Sequence, residues 1–189
     1  MKNIKMFTAS IKLLLICFII FSFIYPVLVG GIGQMWSDKS RGSVIEYNKE
    51  EIGSELIGQE FTEPIYFHSR PSSINYDARK SAGANLAPNN PQLTSRAEDS
   101  IKKLSQEKMV TEEIPSDLVT ESGSALDPHL TPEAAYIQVD RISENTGISR
   151  EKLKNMIEED IENKFLGIFG HRRVNVLKLN IRINEVLNQ

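Results

Sequence analysis

Two serines in this chain are each followed by a lysine at a spacing that could support nucleophilic catalysis. Ser100 precedes Lys103 and Ser105 precedes Lys108, each by three positions. On a helix this spacing places the amine one turn from the hydroxyl, as in penicillin-binding enzymes, which also need SDN-like and KTG-like elements. The sequence has neither element. A solvated helix face is the simpler interpretation, so we assign no catalytic residue and keep a Ser-Lys enzyme as an alternative.

Histidine, cysteine and glycine spacings predict neither a metal site nor a phosphate loop. His68, His129 and His171 are far apart and no HxxxH or CxxC spacing joins them. The single cysteine, Cys17, lies in an apolar run and cannot form an intramolecular disulfide. The GxxxxGK[ST] pattern is absent, so the chain shows no ATPase of its own and we expect no tightly bound cofactor.

Charge and length narrow the class of protein further. The chain has 189 residues and a net charge of -3, and acidic and basic residues nearly balance along it. A basic field that could hold nucleic acid is missing, so we expect no nucleic-acid partner. Once an apolar N-terminal run is set aside, the remainder suits one modest domain.

That run, from Leu13 to Ser37, has no charged residue over 25 positions. A helix needs about 20 apolar residues to cross a bilayer, so the pattern predicts a membrane-spanning helix at 13–37. A cleaved signal peptide is the alternative, but its apolar region is only about 7 to 15 residues long. Gly30, Gly31 and Gly33 could let another helix approach this span closely.

Basic residues in the two flanks predict the orientation of this span. Lys2, Lys5 and Lys12 precede it, whereas Lys39 and Arg41 follow it beside Asp38. The excess of lysine before the span places residues 1–12 in the cytoplasm by the positive-inside rule. We therefore expect residues 38–189 to form one extracytoplasmic domain.

Strand and helix signals in this domain predict a mixed α+β fold. β-branched and aromatic residues predict strands at Gly42–Tyr47 and Glu63–Phe67. A capping box at Ser95–Glu98 predicts the start of a helix that fades near Val110.

A helical hairpin and one ambiguous segment follow. Thr131 and Ser149 are N-caps for two helices, the first ending near Gly147 and the second carrying an apolar stripe from Leu153 to Ile161. The alternation over Val174–Ile183 fits a bulged strand, or a helix from about Leu179.

Two long polar segments do not fit any regular element. We call residues 67–93 the first loop and residues 118–129 the second loop; both are rich in Pro, Ser, Asn and Gly. Such residues build ordered turns, but loops held by a scaffold also concentrate binding residues. Residue types alone leave both interpretations open.

The sequence blocks in and around these loops resemble a known family. The blocks are YFHSRPSS, SAGANLAPNNPQL, DLVTESGSALDPHLTPEAAYIQV and RVNVLKLN, together with YPVLVGGIGQ in the apolar run and GSELIGQEF before the first loop. In order and spacing they are similar to those of the C subunit of the Kdp potassium-transporting ATPase. Nearly the whole chain is covered by this resemblance.

The resemblance implies an accessory subunit of a bacterial cell membrane complex rather than a catalytic subunit. Its partners would be an ATP-hydrolysing P-type subunit and a channel-like potassium-binding subunit. A membrane-anchored extracytoplasmic Ser-Lys enzyme and a free-standing envelope binding module are the alternatives. The family is described as a catalytic chaperone that raises nucleotide affinity through a transient ternary complex with ATP. Because ATP is hydrolysed in the cytoplasm and the charge bias puts both loops outside, we expect this effect to be coupling between distant sites.

The family blocks also imply which residues form the interaction surface. Arg70 is its natural charged anchor, although an internal tie within the domain is an equally good interpretation. Gly83 and Asn85 can adopt positive φ. In the loops the candidates are Phe67, Arg70, Pro71, Ser72, Gly83, Asn85, Leu86, Pro88, Asn90, Pro91, Ser122, Gly123, Ser124, Asp127, Pro128 and His129.

This chain departs from the commonest family pattern at a few positions. His68-Ser69 stands where Trp-Gly is frequent, and Ala84 where Ser is frequent. Ala87 and Ala125 stand where Gly is frequent. Since alanine tolerates positive φ poorly, a backbone geometry that needs glycine is in doubt at these last two positions.

Overall fold

The computed structural model describes residues 2–107 and 113–188, and its chain divides into two compact units. The first unit extends to Val44 and the second begins at Ile45. The predicted end of a helix near Val110 lies outside the described residues.

The first unit is dominated by one long apolar helix. It begins at Lys2 rather than at Leu13 and ends at Gly33, and Ile4–Gly33 is long and apolar enough to cross a membrane. A π-helical turn at Ile20–Ile24 interrupts it just before Pro26. Proline has no N–H for the turn below it, and a wider turn accommodates this defect.

The elements follow one another along the chain with short strands among longer helices. In order they are α1 Lys2–Ile19, the π turn Ile20–Ile24, α2 Tyr25–Gly33, α3 Ser37–Ser40, β1 Val44–Tyr47, β2 Glu50–Ser54, α4 Pro91–Gln106, a 3₁₀ turn Ser116–Leu118, β3 His129–Leu130, α5 Pro132–Thr146, α6 Arg150–Glu159, β4 Val174–Asn175 and α7 Val176–Leu187. Strands β1 and β2 form one sheet, and β3 pairs antiparallel with β4 in another. The mixture of helix and strand agrees with the predicted class.

The core of the second unit lies among α5, α6 and α7. Thr131 and Ser149 cap α5 and α6 through hydrogen bonds from Ala134 N–H and Lys152 N–H, which confirms both predicted starts. Gly147 ends α5 in the left-handed region with φ 74°. The apolar faces of α5 and α6 meet in this core. Its fully buried side chains include Phe67, Leu130, Val139, Ile142, Leu153, Ile157, Val174, Leu179 and Ile183.

The predicted strand at Glu63–Phe67 is wrong, because this segment pairs with no strand. Phe67 N–H instead donates to Asn180 Oδ1 at 2.8 Å, and Asn180 Nδ2 donates to the Phe67 carbonyl at 2.9 Å. A side-chain amide on α7 therefore satisfies both backbone groups that a neighbouring strand would have paired.

The predicted capping box at Ser95–Glu98 is also wrong, because α4 begins four residues earlier, at Pro91. Asn90 is the N-cap, and its Oδ1 accepts from Gln92 N–H at 2.9 Å. Proline at the first helical position fits this start, since its missing N–H would have no helical partner. The end of the predicted first loop is consequently helical.

The ambiguous segment from Val174 to Ile183 is mostly helical. Only Val174 and Asn175 pair as a strand, and α7 starts at Val176, three residues before the predicted Leu179. Asn175 makes this early start possible, because its Oδ1 accepts from Lys178 N–H at 3.2 Å as an N-cap. The bulged strand is therefore excluded.

Candidate interaction surface

Polar side chains on α5 and α7 fix the start of the first loop on the core. Besides the Asn180 pair, Gln138 Oε1 accepts from His68 N–H at 2.7 Å and Gln138 Nε2 donates to the His68 carbonyl at 3.2 Å. Both amides are buried. Phe67 is thereby held with its ring in the core, where it positions the start of the loop.

Arg141 joins this start of the loop to the end of α4. Its guanidinium donates to the carbonyls of Pro64 at 2.6 Å and Tyr66 at 2.9 Å, and its Nε lies 3.5 Å from a Glu107 carboxylate oxygen. His68 lies between the two groups, with Nε2 3.3 Å from Arg141 and Nδ1 3.4 Å from Glu107. Burial and the Arg141 charge lower the pKa of the His68 imidazole.

Glu121 ties the second loop to the first. Its carboxylate accepts from Ser73 N–H at 3.1 Å and from Ala84 N–H at 2.8 Å, and it lies 3.4 Å from Arg96 on α4. Burial opposes ionisation, but these donors outweigh it and lower the pKa of the carboxyl. One acidic side chain thus holds two turns of the first loop together.

Arg70 makes the internal tie that was one of its two interpretations. Its Nη2 donates to the Glu121 carbonyl at 3.2 Å, and its Nη1 lies 3.6 Å from Asp127 Oδ2. Asp127 in turn lies 3.1 Å from His129 Nδ1. Burial alone would raise the pKa of the Asp127 carboxyl. The hydrogen bonds from His129 and the charge of Arg70 outweigh burial, so the pKa is lowered overall. Whether Arg70 also meets a partner stays a prediction.

Two glycines lie where neighbouring backbone segments come so close that a side chain has little room. Gly83 N–H donates to the Gly123 carbonyl at 3.0 Å, and a Cβ on Gly83 would lie 3.0 Å from the same oxygen. Gly83 needs its small size here, not the positive φ that the sequence suggested. Gly58 has less room still, because its Cβ would lie 2.8 Å from the Asp127 carbonyl oxygen.

Positive φ occurs at other positions of the loops. Asn85 has φ 48°, as the sequence suggested, and Ala125 has φ 58°. Ala125 therefore has the left-handed conformation at one of the two positions where the resemblance implied that glycine is frequent. Ala125 is less stable in this conformation than glycine would be, because its Cβ approaches the following carbonyl oxygen. Its methyl group is buried.

The predicted loop residues fall into three groups by exposure. Arg70 with Asp127, Gly83 with Gly123 and Asp127 with His129 are brought together, whereas Asn90 and Pro91 form the start of α4. Buried are Phe67, Ser122 and Pro128; half-buried are Arg70, Pro71, Ser72, Gly83, Leu86, Asn90, Ser124, Asp127 and His129; exposed are Asn85, Pro88, Pro91 and Gly123.

Among the clefts that border the loops in the described part of the chain, two differ in their charged lining. One, of about 320 Å³, has Arg96 beside the Asp99 and Glu121 carboxylates, so its charge does not favour an anion. The other, of about 340 Å³, is lined by arginines and histidines with Asp117 and Asp127. Of these two, the second has more cationic groups that could hold an anion. Residues 2–107 and 113–188 contain no cluster of His, Cys, Asp or Glu suited to a metal.

Ser100, Lys103 and Ser105 lie on α4, and Ser100 and Lys103 line the same small cleft. Ser105 Oγ donates to the Ile101 carbonyl at 2.8 Å, one turn back along the helix. Lys102 pairs with Asp99 at 3.5 Å. Lys108 lies outside the described residues. The hydroxyl of Ser105 is thus engaged by its own helix.

Sequence reasoning missed the residues that organise this surface, namely Glu121, Gln138, Arg141 and Asn180. Two of them carried a signal. Gln138 lies three positions after Ala135 and four before Ile142, and Asn180 lies three before Ile183, so each is an amide on an apolar helix face. A polar residue in such a place needs a buried hydrogen-bond partner.

These observations define a class of protein: a chain with one candidate membrane helix and one helix-rich domain whose two long loops are fixed by internal ties. The comparisons with known proteins narrow this class. The family model described as KdpC, K+-transporting ATPase, c chain, matches residues 7–185. The chain belongs to this family of ATPase subunits.

Curated relatives agree with the family over nearly their whole length. A potassium-transporting ATPase KdpC subunit of Caldanaerobacter subterraneus subsp. tengcongensis is 40% identical over 95% of both chains. Those of Bacillus cytotoxicus and Bacillus cereus strain Q1 are 45% identical over 96% and 51% identical over 87% of both chains. The resemblance found in the sequence blocks is confirmed.

Proposed function

We propose that the chain is a non-catalytic accessory subunit of an ATP-driven potassium uptake complex, with its loop surface and its helix contacting other subunits. The observation that carries this proposal is the ordering of the two loops. Glu121, Arg70 and Gly83 hold these long polar segments in one arrangement through hydrogen bonds and an ion pair. A loop scaffold of this kind is typical of a binding surface.

We place the domain outside the cytoplasm, as the lysines before the span indicate. Single cysteines at the exposed positions Gly123 and Lys5, each with Cys17 replaced by Ala, provide the test. A membrane-impermeant maleimide added to intact cells should label the Gly123→Cys chain only. Labelling of the Lys5→Cys chain alone would reverse the orientation.

The glycines of α2 support a contact within the membrane. Apart from the backbone of the helix itself and the adjoining residues, no described part of the chain lies within 4 Å of a Cβ built on Gly30, Gly31 or Gly33. Leucine at Gly30 and Gly31 should block close approach of a partner helix and weaken assembly. Leucine at Val27 and Val29 is the matched control, and equal copurification of both variants with the complex would exclude this contact.

The proposed effect on nucleotide affinity is coupling between sites, not direct contact. The cleft of about 340 Å³ has the arginines and histidines that could hold a phosphate. A domain outside the cytoplasm, however, does not meet cytoplasmic ATP. Coupling requires two states of the complex that the subunit distinguishes. ATP therefore enters only through a ternary complex with the ATP-hydrolysing subunit.

Copurification tests the function as a whole. The tagged chain, expressed at its native level in potassium-starved cells and extracted in mild detergent, should bring down a P-type ATPase subunit and a large multispanning partner. The preparation should hydrolyse ATP in response to potassium. A chain that emerges alone would reject the proposal, and labelling of Ser100 or Ser105 by a fluorophosphonate would then favour the Ser-Lys enzyme.

A further inference from the structure

A hairpin between α6 and β4 ends in exposed apolar residues. The hairpin covers residues 162–173, and we call Phe165 to Phe169 the apolar tip. Phe165, Leu166, Ile168 and Phe169 are each between 63% and 74% exposed. Four neighbouring large apolar side chains on one loop exceed the scattered exposure that is normal for a surface, and such patches mark interaction sites.

The hairpin is held in shape by its own backbone. Phe165 and Phe169 exchange two hydrogen bonds of 2.8 and 3.0 Å, and Glu162 and Arg173 exchange two of 2.8 and 3.2 Å. Gly167 reverses the chain with φ 73°. Because the backbone is already ordered, little conformational entropy is lost when a partner covers the tip.

The charges around the tip argue against an anionic lipid surface as its partner. From Glu158 to Arg173 the sequence has four acidic residues and three basic ones. Arg173 lies 2.8 Å from Glu162, and Arg172 lies 3.9 Å from Glu158. The hairpin therefore lacks the excess of Lys and Arg that attracts a segment to anionic lipids. A protein recess requires no such excess.

The base of the hairpin continues into the candidate interaction surface. His129 of the second loop lies 3.8 Å from the Glu162 carboxylate. Gly170, His171 and residues of both loops line one cleft. A partner that covers the loops would therefore reach the hairpin as well.

We propose that the apolar tip docks in an apolar recess of a membrane-embedded subunit of the same potassium-transporting ATPase. This inference rests on the proposed function and adds the residues that anchor the domain to its partner. A few centrally buried side chains carry most of the binding energy at protein interfaces, and an aromatic or aliphatic anchor that fills a pocket is one form of such a site. Ile168 and Phe169 are the side chains that we expect to be covered most completely.

A photo-cross-linking residue at Ile168 tests the contact in the intact complex in cells. The same residue at Lys154, an exposed position on α6, is the control. We expect ultraviolet light to join the Ile168 variant to a multispanning subunit and to leave the Lys154 variant uncoupled. Cross-links to lipid alone or to a second copy of this chain would overturn the proposal, as would no cross-link in a complex that copurifies.

Substitutions at the tip give a second measurement. Ile168→Ser with Phe169→Ser should reduce copurification of the partner subunits by about tenfold, the loss expected from truncating interface anchors. Leu56→Ser, at another exposed leucine, should leave it unchanged. Full assembly of the double variant would reject the tip while the accessory-subunit function stands. If the unaltered chain brings down no ATPase subunit, both proposals fail.

Discussion

Gly58 shows how little space separates the segment before the first loop from the second loop. Its N–H donates to the Leu126 carbonyl at 2.7 Å, and a methyl group there would press on backbone that cannot move aside easily. We expect Gly58→Ala to destabilise the domain by about 1 to 3 kcal/mol. Thermal unfolding of the detergent-solubilised chain measures this.

Gly123→Ala is the matched control for that substitution. Gly123 is exposed, its φ is not positive, and nothing lies within 4 Å of an added Cβ. The free energy of unfolding of the Gly123→Ala chain should stay within about 0.5 kcal/mol of the unaltered value, as is usual for surface changes. Its unfolding temperature should therefore change little. Equal unfolding temperatures for the two variants would show that Gly58 has room to relax.

His68 should make the stability of the domain depend on pH. Burial and Arg141 lower its pKa in the folded chain, so the unfolded chain takes up a proton first as the pH falls. Stability from neutral His68 is complete above the ordinary value of about 6.5 and is lost as the pH falls toward the lowered folded value. His68→Asn should flatten the unfolding temperature over this range.

The control for this titration is the exposed His171. His171→Asn makes the same change at an exposed position and shows what the loss of an imidazole alone does. Glu107 and Lys103 also act on His68, the first raising and the second lowering its pKa. An unchanged slope in the His68→Asn chain would assign the pH dependence to other groups.

At the scale of elements, the side-chain amide of Asn180 makes the two backbone hydrogen bonds with Phe67 that a neighbouring strand would otherwise make. Replacing it with leucine keeps a similar volume but leaves the Phe67 N–H and C=O buried without partners. Each such group costs about 1 to 3 kcal/mol. We expect Asn180→Leu to lower the unfolding temperature and to speed amide exchange at Phe67, relative to Asn155→Leu at an exposed position of α6. Unchanged exchange at Phe67 would contradict this account.

Local signals predicted the elements whose caps and stripes agree. Thr131 and Ser149 place α5 and α6 correctly, because each N-cap is followed by an apolar face that the core requires. The strand expected at Glu63–Phe67 failed because its partner is an amide 113 positions away in sequence. No periodicity within a short window records such a contact.

At the scale of the whole molecule, the candidate surface was only partly predictable. The family blocks identified the two loops, but residue types could not show that Arg70 points inward to Asp127 or that Glu121 joins the loops. Nor could residue types identify the apolar tip at Phe165–Phe169. Its meaning depends on exposure, which is a property of the folded domain.

Coupling to ATP makes a reciprocal prediction for the assembled complex. If this subunit raises the nucleotide affinity of the ATP-hydrolysing subunit by some factor, bound nucleotide must raise the affinity of the complex for this subunit by the same factor. We expect a non-hydrolysable ATP analogue to slow the loss of the tagged chain from the detergent-solubilised complex and to lower its dissociation constant. Gly30→Leu with Gly31→Leu should weaken binding in both conditions while the ratio persists, if the glycines supply contacts common to both states. A dissociation constant that does not respond to nucleotide would rule out the proposed increase in ATP affinity, whatever the loops and the helix contact.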